Sequence, residues 1–193
     1  PMWLVRRGGW ENPETADRYL RFVQKAADAL GDLVDIWITI NEPSVYAVSA
    51  YLFGEFPPGK KSFRRCLKVM DVMIDAHVRA YSAIHEIHAG KNWARARVGI
   101  AKHLRTFDPL RNGNPLDRLS ARLMDKYFNN RDLERISAKG RTLDLFGINY
   151  YSGDLVKFPM NLLTRPELSK NKLGWDIYPE GLYRVLRRYW DLY

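Results

Sequence analysis

Residues 34–43 read VDIWITINEP, an apolar run that closes on an Asn-Glu-Pro triplet. Val34 to Ile40 are few, β-branched and aromatic, which predicts a strand rather than another helix. Pro43 closes it, because a proline has no amide to carry a ladder forward. Glu42 then stands at the mouth of what reads as a buried strand, a place where an ionisable side chain is usually there for chemistry.

The flanking segments set this strand in an alternating pattern. Before it, ENPETADRYLRFVQKAADALG carries Asn12 as a cap, Pro13 at the first helical position and Gly31 as a stop. Ala16, Tyr19, Leu20, Val23, Ala27 and Leu30 recur every three or four residues and draw one apolar stripe. After it, a loop rich in Gly and Pro, YLFGEFPPGKK, leads to a helical pattern from about Ser62 to Ala89, with Gly90 as its stop. Leu67, Met70, Ile74, His77, Val78, Tyr81 and Ile84 share one side of that helix. A second strand is expected at 96–103 (ARVGIAKH), a helix at roughly 115–137, a third strand at 143–151 (LDLFGINYY) and a last helix behind Pro179. Strand and helix alternate throughout, which argues for a parallel sheet covered by helices, either a barrel or a doubly wound sheet. Three strands are too few to close a barrel, and an open parallel edge would expose backbone groups and apolar side chains, so the expectation is an incomplete sheet.

Composition limits the function classes. The 193 residues are 46% apolar and 27% charged, ordinary for a globular protein. No apolar run approaches the roughly 20 residues that span a bilayer, and PMWLVRRGGW lacks the order of a signal peptide, so no membrane role is expected. The one cysteine, Cys66, cannot form an internal disulfide, which is compatible with a reducing, cytoplasmic setting, and it reads as a small apolar filler on a helix. A net charge of +9 raises nucleic-acid binding. The basic residues are dispersed, however, and Arg64, Arg65 and Lys68, or Arg184, Arg187 and Arg188, fit the solvated faces of amphipathic helices; no nucleic-acid partner is expected.

In α/β sheets the reactive groups gather at the carboxyl ends of strands, where the loops converge. Asn41 and Glu42 fall at such an end, as do His103 and the run Asn149, Tyr150, Tyr151. A carboxyl group among aromatic and apolar neighbours loses hydration in its charged form, which favours a protonated acid able to donate to a leaving oxygen. Trp37, Tyr46, Tyr51, Phe53 and Phe56 offer flat faces for stacking on a sugar ring, or else ordinary core packing.

TINEP at 39–43 with SVYAVSAYLFGEFPPG to Gly59 resembles the acid/base motif and following loop of glycoside hydrolase family 1, the β-glucosidase and β-galactosidase family. GGW at 8–10, AHVRAY at 76–81, DLFGINYYS at 144–152 and GWDIYPEGL at 174–182 are similar to that family in order and spacing. The resemblance implies a (β/α)₈ TIM barrel, of which residues 1–193 would be a single partial domain carrying strands four to six, without the first three or last two. It implies a retaining mechanism whose two carboxyl groups lie about 5 to 5.5 Å apart. By motif match Glu42 would be the acid/base, Asn41 would bond the sugar 2-hydroxyl, Tyr151 would orient the nucleophile, and Asn149 would line the same pocket. The substrate would be a β-glycoside or oligosaccharide, and the chemistry requires no metal or organic cofactor.

The family's nucleophile belongs to an Ile-Thr-Glu-Asn-Gly stretch, which these residues do not contain. Asp154 is the better placed substitute, Glu180 fits a helix start, and Glu55 fits the outer side of a mouth or water. The Gly-Asp-Tyr-Pro turn usual before the sixth strand is also missing between Asp108 and Gly140. His85 and His88 stand at i and i+3, not the i and i+4 of a zinc helix, so helix-surface or core roles are expected, and packing for His77. Two readings follow besides the basic module already set aside. One is a segment of a retaining β-glycosidase, inactive until the remaining barrel is supplied; the other is a truncated barrel that binds sugars or assembles through its open edges with the remaining barrel segment or a second copy.

Overall fold

A computed structural model describes residues 2–140 and 142–190. Its elements are α1 (Met2–Arg6), α2 (Glu14–Leu30), β1 (Ile36–Asn41), α3 (Pro43–Ala47), α4 (Phe63–Gly90), β2 (Arg97–Leu104), β3 (Phe107–Pro109), α5 (Pro115–Met124), α6 (Arg131–Ala138), β4 (Leu145–Tyr150), β5 (Asp154–Lys157), β6 (Asn161–Leu163) and α7 (Pro179–Trp190). Contacts divide the chain into two compact units, residues 1–102 with 132–147, and residues 103–131 with 148–193. One three-stranded sheet has the order β1-β2-β4, with β1 and β2 parallel, and the fold class is α/β as the alternation predicts. No helix among the described residues is long and apolar enough to cross a membrane.

In the first unit the helix signals act largely as read. Asn12 accepts a hydrogen bond from the Glu14 amide at 3.0 Å, and Ser62 caps α4 through the Arg65 amide. The stripe on α2 buries Ala16, Val23 and Ala27 against α4, while Leu30, in the last turn, is exposed. Gly31 does end α2, but in a right-handed conformation rather than the left-handed one a terminal glycine usually adopts. Its role is space: a Cβ there would lie 2.4 Å from the Trp93 ring. Gly90 is the last helical residue rather than the stop after it. Tyr51, Cys66, Val69, Met70 and Met73 build one core cluster, and Val23, Ala80, Ile84 and Val98 another. Gly99 lets the start of β4 approach β2, since a Cβ would meet the Leu145 carbonyl oxygen at 2.0 Å. β1 is the edge strand of the β1-β2-β4 order, as expected of an open parallel sheet, and Ile36 and Ile38 on one face of it are 48% and 42% exposed.

Asp144, just before β4, ties three elements of this unit together. It accepts from the Tyr81 hydroxyl at 2.9 Å, the His85 ring at 2.7 Å and the Val98 amide at 3.1 Å, with Arg95 at 3.2 Å. Burial raises its pKa, but these donors outweigh burial and hold the carboxyl below its ordinary range.

The second unit holds a sheet that sequence patterning missed, with β3 parallel to β5 and β5 antiparallel to β6. Strands of three or four residues are too short for alternation to show. The helical stretch expected over 115–137 is α5, a π-helical turn at Asp125–Asn130, and α6. The π turn directs Asn129 to bond the Arg105 carbonyl and the Asp125 carboxylate, each at 2.8 Å. Arg184 and Arg188 on α7 do not simply face solvent as their helical pattern suggested. Arg184 grips Asp108 at 2.6 and 2.9 Å, and Arg188 grips Asp125 at 2.8 and 2.9 Å.

Candidate active site

The end of β1 departs from regular strand geometry just where Asn41 and Glu42 occur. Ile38 pairs with Gly99 but Asn41 pairs with Ala101, so β1 spends one more residue than β2 over the same interval. Such a bulge turns the following side chains away from their regular alternation. Glu42 then adopts φ 51° and ψ 54°, the left-handed region that a residue with a Cβ enters at a cost of about 1 to 3 kcal/mol. Its amide donates to the Ala101 carbonyl at 2.7 Å and its carbonyl accepts from Tyr46, while Pro43 opens α3 with no amide to leave unpaired. The next residue, Ser44, is buried and accepts from Lys102 Nζ at 2.9 Å. Lys102 also donates to Asp132 at 2.7 Å, and both side chains of that ion pair are fully buried. The turn that presents Glu42 is therefore anchored to β2 and α6 by charge as well as by backbone.

Of the aromatics expected near this mouth, Tyr51 is completely buried in the core against Tyr46, and burial raises its pKa. Trp37 packs beside Val23 and Ala80 and donates to the Val34 carbonyl. Neither offers a face to a sugar. Phe53 and Phe56 are each 47% exposed.

The other strand-end residues fall in the second unit. The His103 ring meets Tyr151 edge-on at 4.7 Å and Phe128 at 5.4 Å. Tyr151 is exposed and stands 5.3 Å from Trp175, which is exposed too; Asn149 is half-buried near the end of β4. The motif GWDIYPEGL contains Trp175, yet no periodicity or spacing pointed to its contact with Tyr151. Tyr150 has a structural part. Its hydroxyl donates to the Tyr178 carbonyl at 2.8 Å, burial pushes its pKa up to about 12, and a Cβ on Gly181 would lie 2.0 Å from its oxygen.

Of the substitute carboxylates, the better placed one is held by an arginine. Asp154 is buried at the start of β5 and bonds Arg105 at 3.0 Å, with burial raising its pKa. Glu55 is exposed, and Glu180 is exposed in the first turn of α7. The histidines follow the packing readings. His77 is buried between Thr39 and the Thr142 carbonyl, His85 binds Asp144, and buried His88 meets the Ala94 carbonyl. No group of three or more His, Cys, Asp or Glu among the described residues could hold a metal ion.

The family model described as Glycosyl hydrolase family 1 matches residues 1–140. The chain belongs to this family. As a family 1 chain it is 28% identical over 219 residues to Beta-glucosidase A of Thermotoga maritima, covering 97% of this chain and 48% of that protein. It is 31% identical over 234 residues to a Beta-galactosidase of Sulfolobus acidocaldarius, covering 100% of this chain and 46% of that protein. The solved family 1 glycoside hydrolase of Thermotoga maritima, complexed with a cyclophellitol analogue transition state mimic, matches with a TM-score of 0.86 at 27% identity, over 100% of this chain and 49% of that one. The chain spans about half the length of the curated relatives it matches. Its fold is part of the (β/α)₈ barrel of family 1, with the sheet open rather than closed.

Proposed function

We propose that residues 1–193 form a single partial barrel domain, strands four to six, that carries the acid/base half of a retaining β-glycosidase site. The observation that carries this reading is Glu42 itself: a carboxylate in the left-handed region at a bulged strand end, within a motif that matches family 1. A backbone strained in this way persists only where its surroundings impose it, and such positions cluster at functional sites.

In the first step the Glu42 carboxyl group donates its proton to the glycosidic oxygen while a second carboxylate attacks the anomeric carbon, so the exocyclic C–O bond breaks as the glycosyl ester forms. In the second, the Glu42 carboxylate takes a proton from water, whose oxygen attacks the anomeric carbon and releases the ester. Asn41 bonds the 2-hydroxyl, a contact that strengthens as positive charge develops on the ring; Tyr151 orients the second carboxylate and Asn149 lines the sugar pocket. That second carboxylate belongs to a Thr-Glu-Asn-Gly stretch, which these 193 residues do not contain. The substrate is a β-glucoside or related β-glycoside, and the protein works in the cytoplasm.

Hydrolysis of aryl β-glucosides by the barrel completed with such a stretch tests the assignment. Glu42→Gln is expected to lower kcat/KM on phenyl β-glucoside by at least about a hundredfold, the scale of general acid catalysis, with far less loss on 2,4-dinitrophenyl β-glucoside, whose leaving group needs no proton. Unchanged turnover of the phenyl glycoside would overturn it.

The exposed Ile36 and Ile38 edge favours a second reading, a non-catalytic sugar-binding segment that assembles through its open sheet. Light scattering on the 193-residue chain separates the two: a mass that rises with concentration, together with sugar binding and no turnover in the completed barrel, would support assembly.

A further inference from the structure

The second unit carries a cavity of about 360 Å³, open to solvent, whose charge the hydrolytic reading does not use. Five arginines line it: Arg105 just after β2, Arg118 and Arg122 on α5, and Arg184 and Arg188 on α7. The pairs on α5 and α7 are each spaced i and i+4, so each helix turns two guanidinium groups to one side. Three of the five are held by carboxylates, Arg105 by Asp154, Arg184 by Asp108 and Arg188 by Asp125. A two-point grip on a carboxylate fixes a guanidinium's direction and leaves several of its five N–H donors over. Arg118 and Arg122 have no carboxylate partner among the described residues, so two positive charges at this cavity are uncompensated. The rest of the lining is mixed: Phe107, Val185 and Tyr189 give apolar and aromatic faces, Thr106 and Asn129 are polar, and the one carboxylate among the lining residues, Asp125, is the one that holds Arg188.

We propose that this cavity binds a small phosphate monoester, its phosphate facing the guanidinium groups of Arg118 and Arg122 and its organic group lying on Phe107 and Tyr189. Two uncompensated charges match a phosphate monoester that is largely dianionic at neutral pH, and planar guanidinium forks suit its oxygens. The volume lies at the lower end of small-molecule sites, roughly 300 to 1,000 Å³, large enough for an ester with one ring and too small for an extended chain. This inference does not depend on Glu42 or on hydrolysis.

The test is isothermal titration calorimetry of the 193-residue chain with phenyl phosphate, inorganic phosphate and a short phosphodiester oligonucleotide, at ionic strength matched with NaCl. Phenyl phosphate is expected to bind saturably and more tightly than inorganic phosphate. The variant Arg118→Gln/Arg122→Gln is expected to lose at least about tenfold in affinity, the scale of one charge-assisted hydrogen bond. Both residues are exposed and unpaired with carboxylates, so the fold should survive, and circular dichroism of the variant verifies it. Undiminished binding in the folded variant, equal affinity for the two phosphates, binding of the oligonucleotide alone, or no saturable binding would each overturn the proposal.

Discussion

At the scale of single residues, function and stability pull against each other at Glu42. The left-handed backbone at φ 51° costs a residue with a Cβ and costs glycine almost nothing. Glu42→Gly is therefore expected to be more stable than Glu42→Ala by about 1 kcal/mol in urea unfolding, while both lose acid/base chemistry. Equal midpoints would mean that the turn carries no strain. His77 gives the second residue-scale expectation. With a neutral ring, Nε2–H donates to the Thr142 carbonyl while Nδ1 lies 2.7 Å from the Thr39 hydroxyl, and burial pushes the pKa from 6.5 down to about 4. The unfolded chain then takes up the proton first, so this group's contribution is complete above about pH 6.5 and is lost as pH falls toward about 4, a loss of roughly 3 kcal/mol at most. Unfolding free energy measured from pH 7 to pH 4 should fall with a slope that His77→Gln removes; an identical slope in the variant would contradict this.

Among elements, the buried contact from Lys102 on β2 to Asp132 on α6 and Ser44 on α3 holds the turn after β1. Burying two charges costs about as much as their attraction returns, so the pair adds little stability, but removing one partner strands the other. Lys102→Met should cost about 3 to 5 kcal/mol in thermal or urea unfolding, and Lys102→Met/Asp132→Leu should recover most of it. A single variant as stable as the parent would show that the pair is not charged and buried together. The main helices and the three strands of the first sheet were legible because each is long enough to show a period and is bounded by Asn12, Pro13, Ser62, Pro43 or Pro179. The second sheet was not, since Phe107–Pro109 and Asn161–Leu163 offer three residues each. Nor was the bulge before Asn41, which is a matter of register between β1 and β2, information that no single strand contains. Glu42 was found by its place after an apolar run, whereas Trp37 and Tyr51 stood between a sugar face and core packing until the structure placed them at the core, because the sequence does not say which side of an element meets it.

For the molecule as a whole, part of the positive charge behind the net +9 is set against aspartates. On α7 Arg184 and Arg188 are paired with aspartates, and at one cavity of the second unit Arg118 and Arg122 have no carboxylate partner among the described residues. Membership of glycosyl hydrolase family 1 gives the barrel class, and the role proposed for Glu42 within it is that of proton donor and acceptor. The most direct measurement is the product formed when the completed barrel carrying Glu42→Ala turns over 2,4-dinitrophenyl β-glucoside in the presence of azide. With the acid/base carboxylate gone, azide should attack the glycosyl ester from the face that Glu42 normally serves, restoring turnover and giving the β-glucosyl azide. An α-azide, the product expected when the nucleophile itself has been removed, or no rescue by azide at any concentration, would contradict the role assigned to Glu42.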